Sequence, residues 1–141
     1  MSPILEFREG IHRGEQMAIL ELYNALGWTK YTQDPETLYK ALRNSTYVVT
    51  CYADSQLIGL ARSLSDDVSI HYLQDILVLP TFQHQGIGRK LLQQCLDRFR
   101  HVRTHLLLTD DREQQKRFYQ SCGYTNIRNI AELNVFIIMK P

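Results

Sequence analysis

The chain has 141 residues, of which 44% are hydrophobic and 22% are charged, and its formal net charge is +1. This size fits a single domain over residues 1–141 with a substantial core, and the near-neutral charge argues against a nucleic-acid-binding protein. No apolar run approaches the roughly 20 residues of a membrane helix, nothing resembles a signal peptide, and the three cysteines are scattered, so we expect a cytoplasmic protein without membrane partners.

The first quarter of the chain predicts a strand followed by a helix. Residues Ile4 to Arg8 alternate between apolar and polar side chains, as in a half-buried strand. Helical spacing then appears in four apolar residues, Ile19, Leu22, Tyr23 and Leu26. Gly27 fits the position after a helix end, and the aperiodic segment "WTKYTQ" that follows predicts a loop.

A short helix and three strands are predicted next. Asp34 and Pro35 form an N-cap and first-turn pair for a helix that ends near Asn44. Three β-rich runs follow, separated by polar turns, namely Thr46 to Tyr52, Leu57 to Leu64 and Val68 to Leu79. The third run is long for one strand, so we expect a bulge or bend within it.

The last part of the chain predicts two more helices and two more strands. A helical stripe begins near Gly88, and Thr104 to Thr109 is typical of a buried strand. Asp110 with Glu113 predicts a capping box for a final helix, which Gly123 would end. Asn134 to Met139, "NVFIIM", predicts a last strand.

This order of elements predicts a mixed α/β (α+β) fold with one central sheet of six to seven strands and about four flanking helices. The β-α-β step through the helix near Gly88 should be a right-handed parallel crossover.

The segment "PTFQHQGIGRKLL", Pro80 to Leu92, places glycines between a strand end and a helix start. Backbone N–H groups and the helix dipole at such a junction bind phosphate, and Arg89 and Lys90 add positive charge. The spacing matches neither a P-loop nor a dinucleotide fingerprint. Taken by itself, the loop is better explained by glycines that merely turn the chain.

Two motifs together resolve this ambiguity. "QHQGIG" has the Q-x-x-G-x-G form of the acetyl-coenzyme A loop of GNAT-superfamily N-acetyltransferases, and the preceding "DILVLP" is similar to that family's strand. About thirty residues later, "RFYQSCGY" resembles the family's second signature. The predicted order of elements also matches that family, so the chain is identified as a member of it with a GNAT fold.

The resemblance implies a set of residues that bind acetyl-CoA. The backbone of Ile76, Leu77 and Val78 would pair with the pantetheine arm as an added strand does. The pyrophosphate would lie against the loop and the first helical turn, formed by Gln83, His84, Gln85, Gly86, Ile87, Gly88, Arg89 and Lys90. Tyr119 corresponds to the tyrosine that points at the coenzyme sulfur. Arg112 stands where many members have asparagine, so a guanidinium contact to the coenzyme would replace an amide contact.

The chemistry of amide formation requires a base, because an alkylamine with a pKa of about 10.4 is almost fully protonated at pH 7. Asp75, in an otherwise apolar strand, is the first candidate, and burial would make its carboxylate more basic. A water relay is the alternative, and so is a purely structural carboxylate. Gln74 should point to the opposite face of the sheet, where it would position a water or the acceptor.

Departure of the thiolate requires a hydrogen-bond donor, and the Tyr119 hydroxyl fits this role. The structural alternative is a tyrosine that packs with Phe118 and Cys122 on the buried side of its helix. A backbone N–H of Leu77 or Val78 would polarise the thioester carbonyl.

The acceptor should lie across the sheet from the pantetheine, against Trp28 and Tyr31, where aromatic rings would contact a ring or a cationic amine. We therefore expect transfer of the acetyl group of acetyl-CoA directly to a small-molecule primary amine. Protein lysine or N-terminal acetylation and a non-catalytic acyl-CoA sensor are the alternatives. No metal site is expected from the spacing of His, Cys, Asp and Glu, and a homodimer through the last strands is an open expectation.

Overall fold

The computed structural model of the protein describes residues 2–141. Main-chain contacts divide the chain into two compact units, one that reaches to Leu108 and one that runs from Thr109 to Pro141. The single domain expected over the whole chain therefore stays a prediction.

The first unit contains all five strands of the described chain and four of its five α-helices. In chain order these elements are β1 (Leu5–Glu9), α1 (Gln16–Ala25), α2 (Thr29–Thr32), α3 (Pro35–Arg43), β2 (Tyr47–Ala53), β3 (Gln56–Ser65), β4 (Ile70–Val78), α4 (Ile87–Arg98) and β5 (Thr104–Leu107). A short 3₁₀ turn, Pro80–Phe82, separates β4 from α4. The second unit contains α5 (Glu113–Ser121) and a 3₁₀ turn at Ile127–Asn129.

The strands form one mixed sheet in the order β1-β2-β3-β4-β5. Neighbours from β1 to β4 are antiparallel, whereas β4 and β5 are parallel and are connected through α4. The predicted mixed α/β class and the parallel β-α-β unit are therefore confirmed.

Strand β4 contains one extra residue relative to β3. Arg62 lies opposite Asp75 and Ser63 lies opposite Leu73, which leaves Gln74 without a partner in the register. This bulge confirms the irregularity that the length of the run predicts. Pairing with β5 ends at the same place, because Leu73 is the last residue of β4 that has a partner in β5.

Helices cover both faces of the sheet. On one face, Tyr23 of α1 and Leu38 of α3 pack in a buried cluster with Leu60 and other residues of the sheet. The neighbouring Gly59 points to the other face, where an added Cβ would lie 3.1 Å from a side-chain carbon of Leu91 in α4. The absence of a side chain at this position lets α4 pack close to β3.

The predicted helix ends agree with the structure at several positions. Asp34 accepts a hydrogen bond from the Thr37 N–H at 3.3 Å, and Pro35 is the first residue of α3. Gly27 and Gly123 both follow helix ends with positive φ, as expected of C′ glycines.

The prediction of a plain loop at "WTKYTQ" is wrong. Residues Thr29–Thr32 form the single helical turn α2, which the Gln33 N–H closes by donating to the Thr29 carbonyl at 2.9 Å. Tyr31 in this turn is fixed through its hydroxyl to Asp75 of β4. A contact so distant in sequence stabilises the turn and leaves no periodic signal in the local residues.

The predicted capping box of α5 is also wrong. The N-cap residue is Arg112, and it makes no side-chain cap. Asp110 instead accepts a hydrogen bond from the Arg112 N–H at 3.1 Å and pairs with its guanidinium at 2.8 Å. The aspartate therefore shapes the turn before the helix rather than the helix itself.

The predicted last strand is absent, so the sheet has five strands rather than six to seven. Residues 134–139 form no strand, and Phe136 and Ile138 are 93% and 95% exposed. Strand propensity reflects packing on a sheet surface more than a preference of the backbone. Apolar β-branched residues alone therefore did not produce a strand here.

Candidate active site

The loop between β4 and α4 is held against the end of the strand. Gln83 donates a side-chain hydrogen bond to the Val78 carbonyl at 2.9 Å. His84 and Gly86 both have positive φ, of +64° and +83°. Left-handed conformations turn successive backbone N–H groups toward one side of a loop, which is the geometry of an anion-binding nest.

The loop leads directly into the N-terminus of α4. Gly86 is the N-cap residue and provides no side-chain cap, so the first N–H groups of the helix have no partner within the helix. An added Cβ at Gly86 would have no atom within 4 Å, so this surface is open. Arg89 and Lys90 are exposed in the first turn. Dipole, N–H groups and basic side chains thus combine into a site suited to phosphate.

The edge of β4 that leads to this loop is open on one side. Ile76, Leu77 and Val78 pair with β3, but pairing with β5 stops before them. Within the first unit, the described residues therefore leave this edge without a neighbouring strand. Such an edge accepts an extended polar chain by backbone hydrogen bonds.

Asp75 is the centre of a buried polar network. One carboxylate oxygen, Oδ2, accepts hydrogen bonds from Arg62 Nε at 2.6 Å and from the Tyr23 hydroxyl at 2.9 Å. The other, Oδ1, accepts a hydrogen bond from the Tyr31 hydroxyl at 3.0 Å. Arg62 and Asp75 form an ion pair whose side chains are only 7% and 3% exposed. The carboxylate that sequence reasoning proposes as a base is thus paired and hydrogen-bonded.

Tyr31 connects this network to the surface. Its hydroxyl also accepts hydrogen bonds from Arg62 Nη2 at 3.2 Å and from the Gln74 amide at 3.4 Å. Trp28 packs beside it, with ring centroids 6.1 Å apart. Tyr31 thus contacts both Trp28 and Gln74, and their role as a wall for an acceptor stays a prediction.

The expected orientation of Gln74 is wrong. Gln74 and Asp75 both bond to the hydroxyl of Tyr31, so they do not point to opposite faces of the sheet. The bulge explains this, because it places two residues of β4 opposite one residue of β3 and breaks the strict alternation of side chains.

The network raises the pKa of three of its members, namely Arg62, Tyr23 and Tyr31. Burial opposes the charged form of Arg62, but the Asp75 carboxylate outweighs it, and the net effect raises the pKa of Arg62. Burial and then Asp75 raise the pKa of the Tyr23 hydroxyl, and the same two causes raise that of Tyr31. Both phenols therefore stay protonated donors at neutral pH.

Arg62 and Tyr23 are the members of this network that sequence reasoning missed. A signal for Arg62 exists, since it is a charged residue inside an apolar strand, one hairpin away from Asp75. Tyr23 follows the apolar stripe of α1, and its hydroxyl leaves no separate signal in the sequence.

The second unit contains Tyr119 and Arg112. Tyr119 is buried, and its ring packs edge-on against Phe118 and Tyr124. Burial, with smaller contributions from Cys122 and Asp110, raises the pKa of Tyr119 to about 12. Arg112 is exposed and pairs with Asp110.

Within the described residues 2–141, no group of three or more His, Cys, Asp or Glu side chains could hold a metal ion. None of the helices in this range has the length and apolar character needed to cross a membrane.

Residues 16–124 match the model of the acetyltransferase (GNAT) family. This range includes the open edge of β4, the glycine loop and α5. The chain belongs to the GNAT family. Membership confirms the resemblance carried by the two motifs.

Solved structures of other GNAT proteins share this fold. A GNAT-family acetyltransferase from Streptococcus pneumoniae aligns with a TM-score of 0.81 and 27% identity over 98% of this chain and 100% of that one. The aminoglycoside N-acetyltransferase AAC(6')-Iy, solved in complex with CoA, aligns with a TM-score of 0.70 over 100% of this chain and 97% of that one. At 16% identity, the second likeness shows the fold alone.

The chain is also similar in sequence to a curated protein. This GNAT chain is 25% identical to an uncharacterized N-acetyltransferase, ycf52, of Pyropia yezoensis over 108 residues. The alignment covers 74% of this chain and 61% of that protein, so the chain spans less than two thirds of the relative's length.

Proposed function

We propose that this GNAT chain transfers the acetyl group of acetyl-CoA to the primary amine of a small molecule. The observation that carries the proposal is the continuity of two features in one segment. The open edge at Ile76–Val78 runs directly into the loop of Gly86 and the N-terminus of α4. An extended arm that ends in a pyrophosphate fits an open strand edge followed by a phosphate site.

Within this proposal, the chain's own residues bind and orient the donor. When bound, acetyl-CoA supplies an acetyl thioester. Backbone groups of Ile76, Leu77 and Val78 would hold the pantetheine arm, and the residues from Gln83 to Lys90 would hold the phosphates. The Arg112 guanidinium, which pairs with Asp110, would contribute a positive charge for a contact to the coenzyme.

The amine must lose a proton before its nitrogen attacks the carbonyl carbon. Asp75 and a water relay are the two candidates for accepting it. Protonation of Asp75 would remove the charge that Arg62 pairs with at 2.6 Å and would weaken two tyrosine hydrogen bonds. This cost favours the water relay, with Asp75 as a fixed negative charge beneath the acceptor wall.

The C–S bond breaks as the new C–N bond forms, the sulfur departs as a thiolate, and the nitrogen releases its second proton to water. We assign Tyr119 the role of hydrogen-bond donor to that sulfur. With a pKa of about 12, its hydroxyl is protonated at all neutral pH values. Full proton transfer to a thiolate with a pKa of about 8.5 would be uphill by roughly 5 kcal/mol, so a hydrogen bond suffices.

The acceptor would lie against Trp28, Tyr31 and Gln74. The name of the neighbour AAC(6')-Iy describes an enzyme that acetylates aminoglycosides, which are small-molecule amines, and this supports a small acceptor here. Here the carboxylate nearest this wall, Asp75, is buried and paired with Arg62. Recognition of the amine would therefore rest on aromatic faces and the Gln74 amide rather than on an exposed acid.

The test is a screen of amines with acetyl-CoA, read by the release of free thiol. The panel should contain aryl-alkyl amines, polyamines, an aminoglycoside and a lysine peptide. Thiol release with a small amine is expected, and a Gly86→Glu variant provides the blank. Preferential acetylation of the peptide would favour the protein acetyltransferase, and a blank panel with coenzyme binding intact would favour the sensor.

We also propose a cytosolic homodimer. Cys51, Cys95 and Cys122 are free thiols, as is usual in a reducing compartment. Phe136 and Ile138 expose nearly their whole side chains, which supports a further contact in an assembly. Sedimentation of the wild type and of a Phe136→Asp variant tests this, because a monomeric wild type would contradict it.

A further inference from the structure

The bulge in β4 coincides with two other features of the sheet. Gln74 is the extra residue, and Leu73 just before it is the last residue that pairs with β5. Arg62, which lies opposite Asp75, bonds to the residue just beyond the bulge. The buried ion pair therefore sits where β4 leaves β5.

Both bulge residues are also fixed to the helices above the sheet. Asp75 accepts hydrogen bonds from Tyr23 of α1 and Tyr31 of α2, and Gln74 donates to Tyr31. Arg62 bonds to Asp75 and Tyr31 together, and its Nη1 lies 3.4 Å from the Ser45 hydroxyl oxygen. Arg62 in β3 thus connects this strand with β4, with α2 and with Ser45 after the end of α3.

The bulge decides which groups the open edge presents. If the bulge were lost and β4 continued in register with β3 from Leu73 onward, the pairing of Ile76, Leu77 and Val78 would shift by one residue, which exchanges the faces of their side chains and the directions of their N–H and C=O groups. Leu77, which is buried in the cluster with α1 and α3, would then leave the core. An arm that pairs with the edge would meet the wrong backbone groups.

We infer that Arg62 is a positioning residue, which holds the bulge of β4 at Gln74 and thereby fixes the strand edge that receives the pantetheine arm. This inference rests on the proposed function, because it takes the coenzyme arm as the occupant of the edge. Arg62 is buried and bonds to Asp75 and Tyr31, so we assign it a role through these residues rather than a contact of its own with the coenzyme.

The test separates the pantetheine arm from the phosphates. Coenzyme A carries both, whereas ADP carries a pyrophosphate without the arm. Calorimetry on the full chain gives the dissociation constants of both for wild type and for Arg62→Gln. In Arg62→Gln we expect the dissociation constant of coenzyme A to rise about tenfold or more. This is the effect of losing roughly one to two hydrogen bonds between the pantetheine arm and the strand edge. The constant for ADP should change by less than about threefold, because the phosphate loop is intact.

Arg98→Gln is the matched control, since it removes an exposed arginine that pairs with Asp67 in the same unit. It should leave both constants unchanged. Arg62→Lys retains the charge without the fork of donors and should fall between wild type and Arg62→Gln. If Arg62→Gln does not fold, Arg62→Lys and the double variant Arg62→Gln/Asp75→Asn, which leaves no unpaired charge, carry the comparison.

The outcomes distinguish this inference from the proposed function. Equal losses for coenzyme A and ADP, or no loss for either, in folded Arg62 variants would overturn the positioning role. A wild type that binds neither ligand would overturn the proposed function itself. A loss confined to coenzyme A supports both.

Discussion

His71 and His105 face each other across the parallel strands β4 and β5, with their Nδ1 atoms 2.9 Å apart. Only one of these nitrogens can donate, because two protons cannot occupy the space between them. His71 is fully buried, lies 2.8 Å from the Ser63 hydroxyl through Nε2, and stacks on Phe99. The pair is therefore built for a state with at least one neutral ring.

This contact predicts acid-sensitive stability. Burial, and then the neighbouring His105, lowers the pKa of His71 from 6.5 to about 4, and burial lowers that of His105. The unfolded chain binds these protons first, so the free energy of unfolding should fall as the pH drops from 6.5 toward 4. We expect a loss of about 3 kcal/mol between pH 7 and pH 4 in urea titrations.

His71→Gln should flatten this slope, whereas His12→Gln, at an exposed position, should retain it. A wild-type free energy of unfolding that is constant from pH 7 to pH 4 would contradict the prediction.

Gly86→Glu should abolish coenzyme binding. The substitution puts a negative side chain at the left-handed N-cap position of α4, where φ is +83°. Repulsion of the phosphates should weaken affinity by more than about a hundredfold in calorimetry. Gly14→Glu is the control for backbone strain. It adds the same charge at a position that has a similar φ of +84° and equally open surroundings. Equal affinities for the two variants would exclude the loop as the phosphate site.

Tyr119→Phe should lower turnover by about ten- to a hundredfold and leave the dissociation constant of coenzyme A unchanged. The reason is that only the departing sulfur needs the donor. Steady-state kinetics with saturating amine measures the turnover. Tyr124→Phe, whose ring contacts Tyr119, is the control, and it should retain turnover. Full turnover of Tyr119→Phe would remove the hydroxyl from the mechanism.

Asp75→Asn separates the two candidate bases. The variant leaves Arg62 buried without its partner, so the free energy of unfolding should fall by about 3 kcal/mol. Asp67→Asn, which breaks an exposed pair, should cost about 1 kcal/mol or less. If water accepts the proton, the acidic limb of the turnover–pH profile should persist in folded Asp75→Asn. Disappearance of that limb would identify Asp75 as the base.

The loop and its family were readable from the sequence because their constraints are local. Gly86 must adopt positive φ, Pro80 ends the ladder, and the helix begins at the next turn, so a few adjacent residues specify the junction. The same holds for Gly27 and for the cap at Asp34. Strand order also followed, since short turns make β2, β3 and β4 neighbours.

What only the tertiary structure decided depends on groups distant in the chain. Arg62 pairs with the Asp75 carboxylate, and the hydrogen bond from Tyr31 to Asp75 stabilises the helical turn α2. The bulge in β4 places Gln74 on the same side as Asp75. The strand expected at Asn134–Met139 shows the converse, because β propensity produces a strand only together with a hydrogen-bonded partner strand, and no strand forms at these residues. Sequence thus predicted where the coenzyme phosphates bind, and packing decided that the charges of Arg62 and Asp75 are paired, because pairing is set by distance in space.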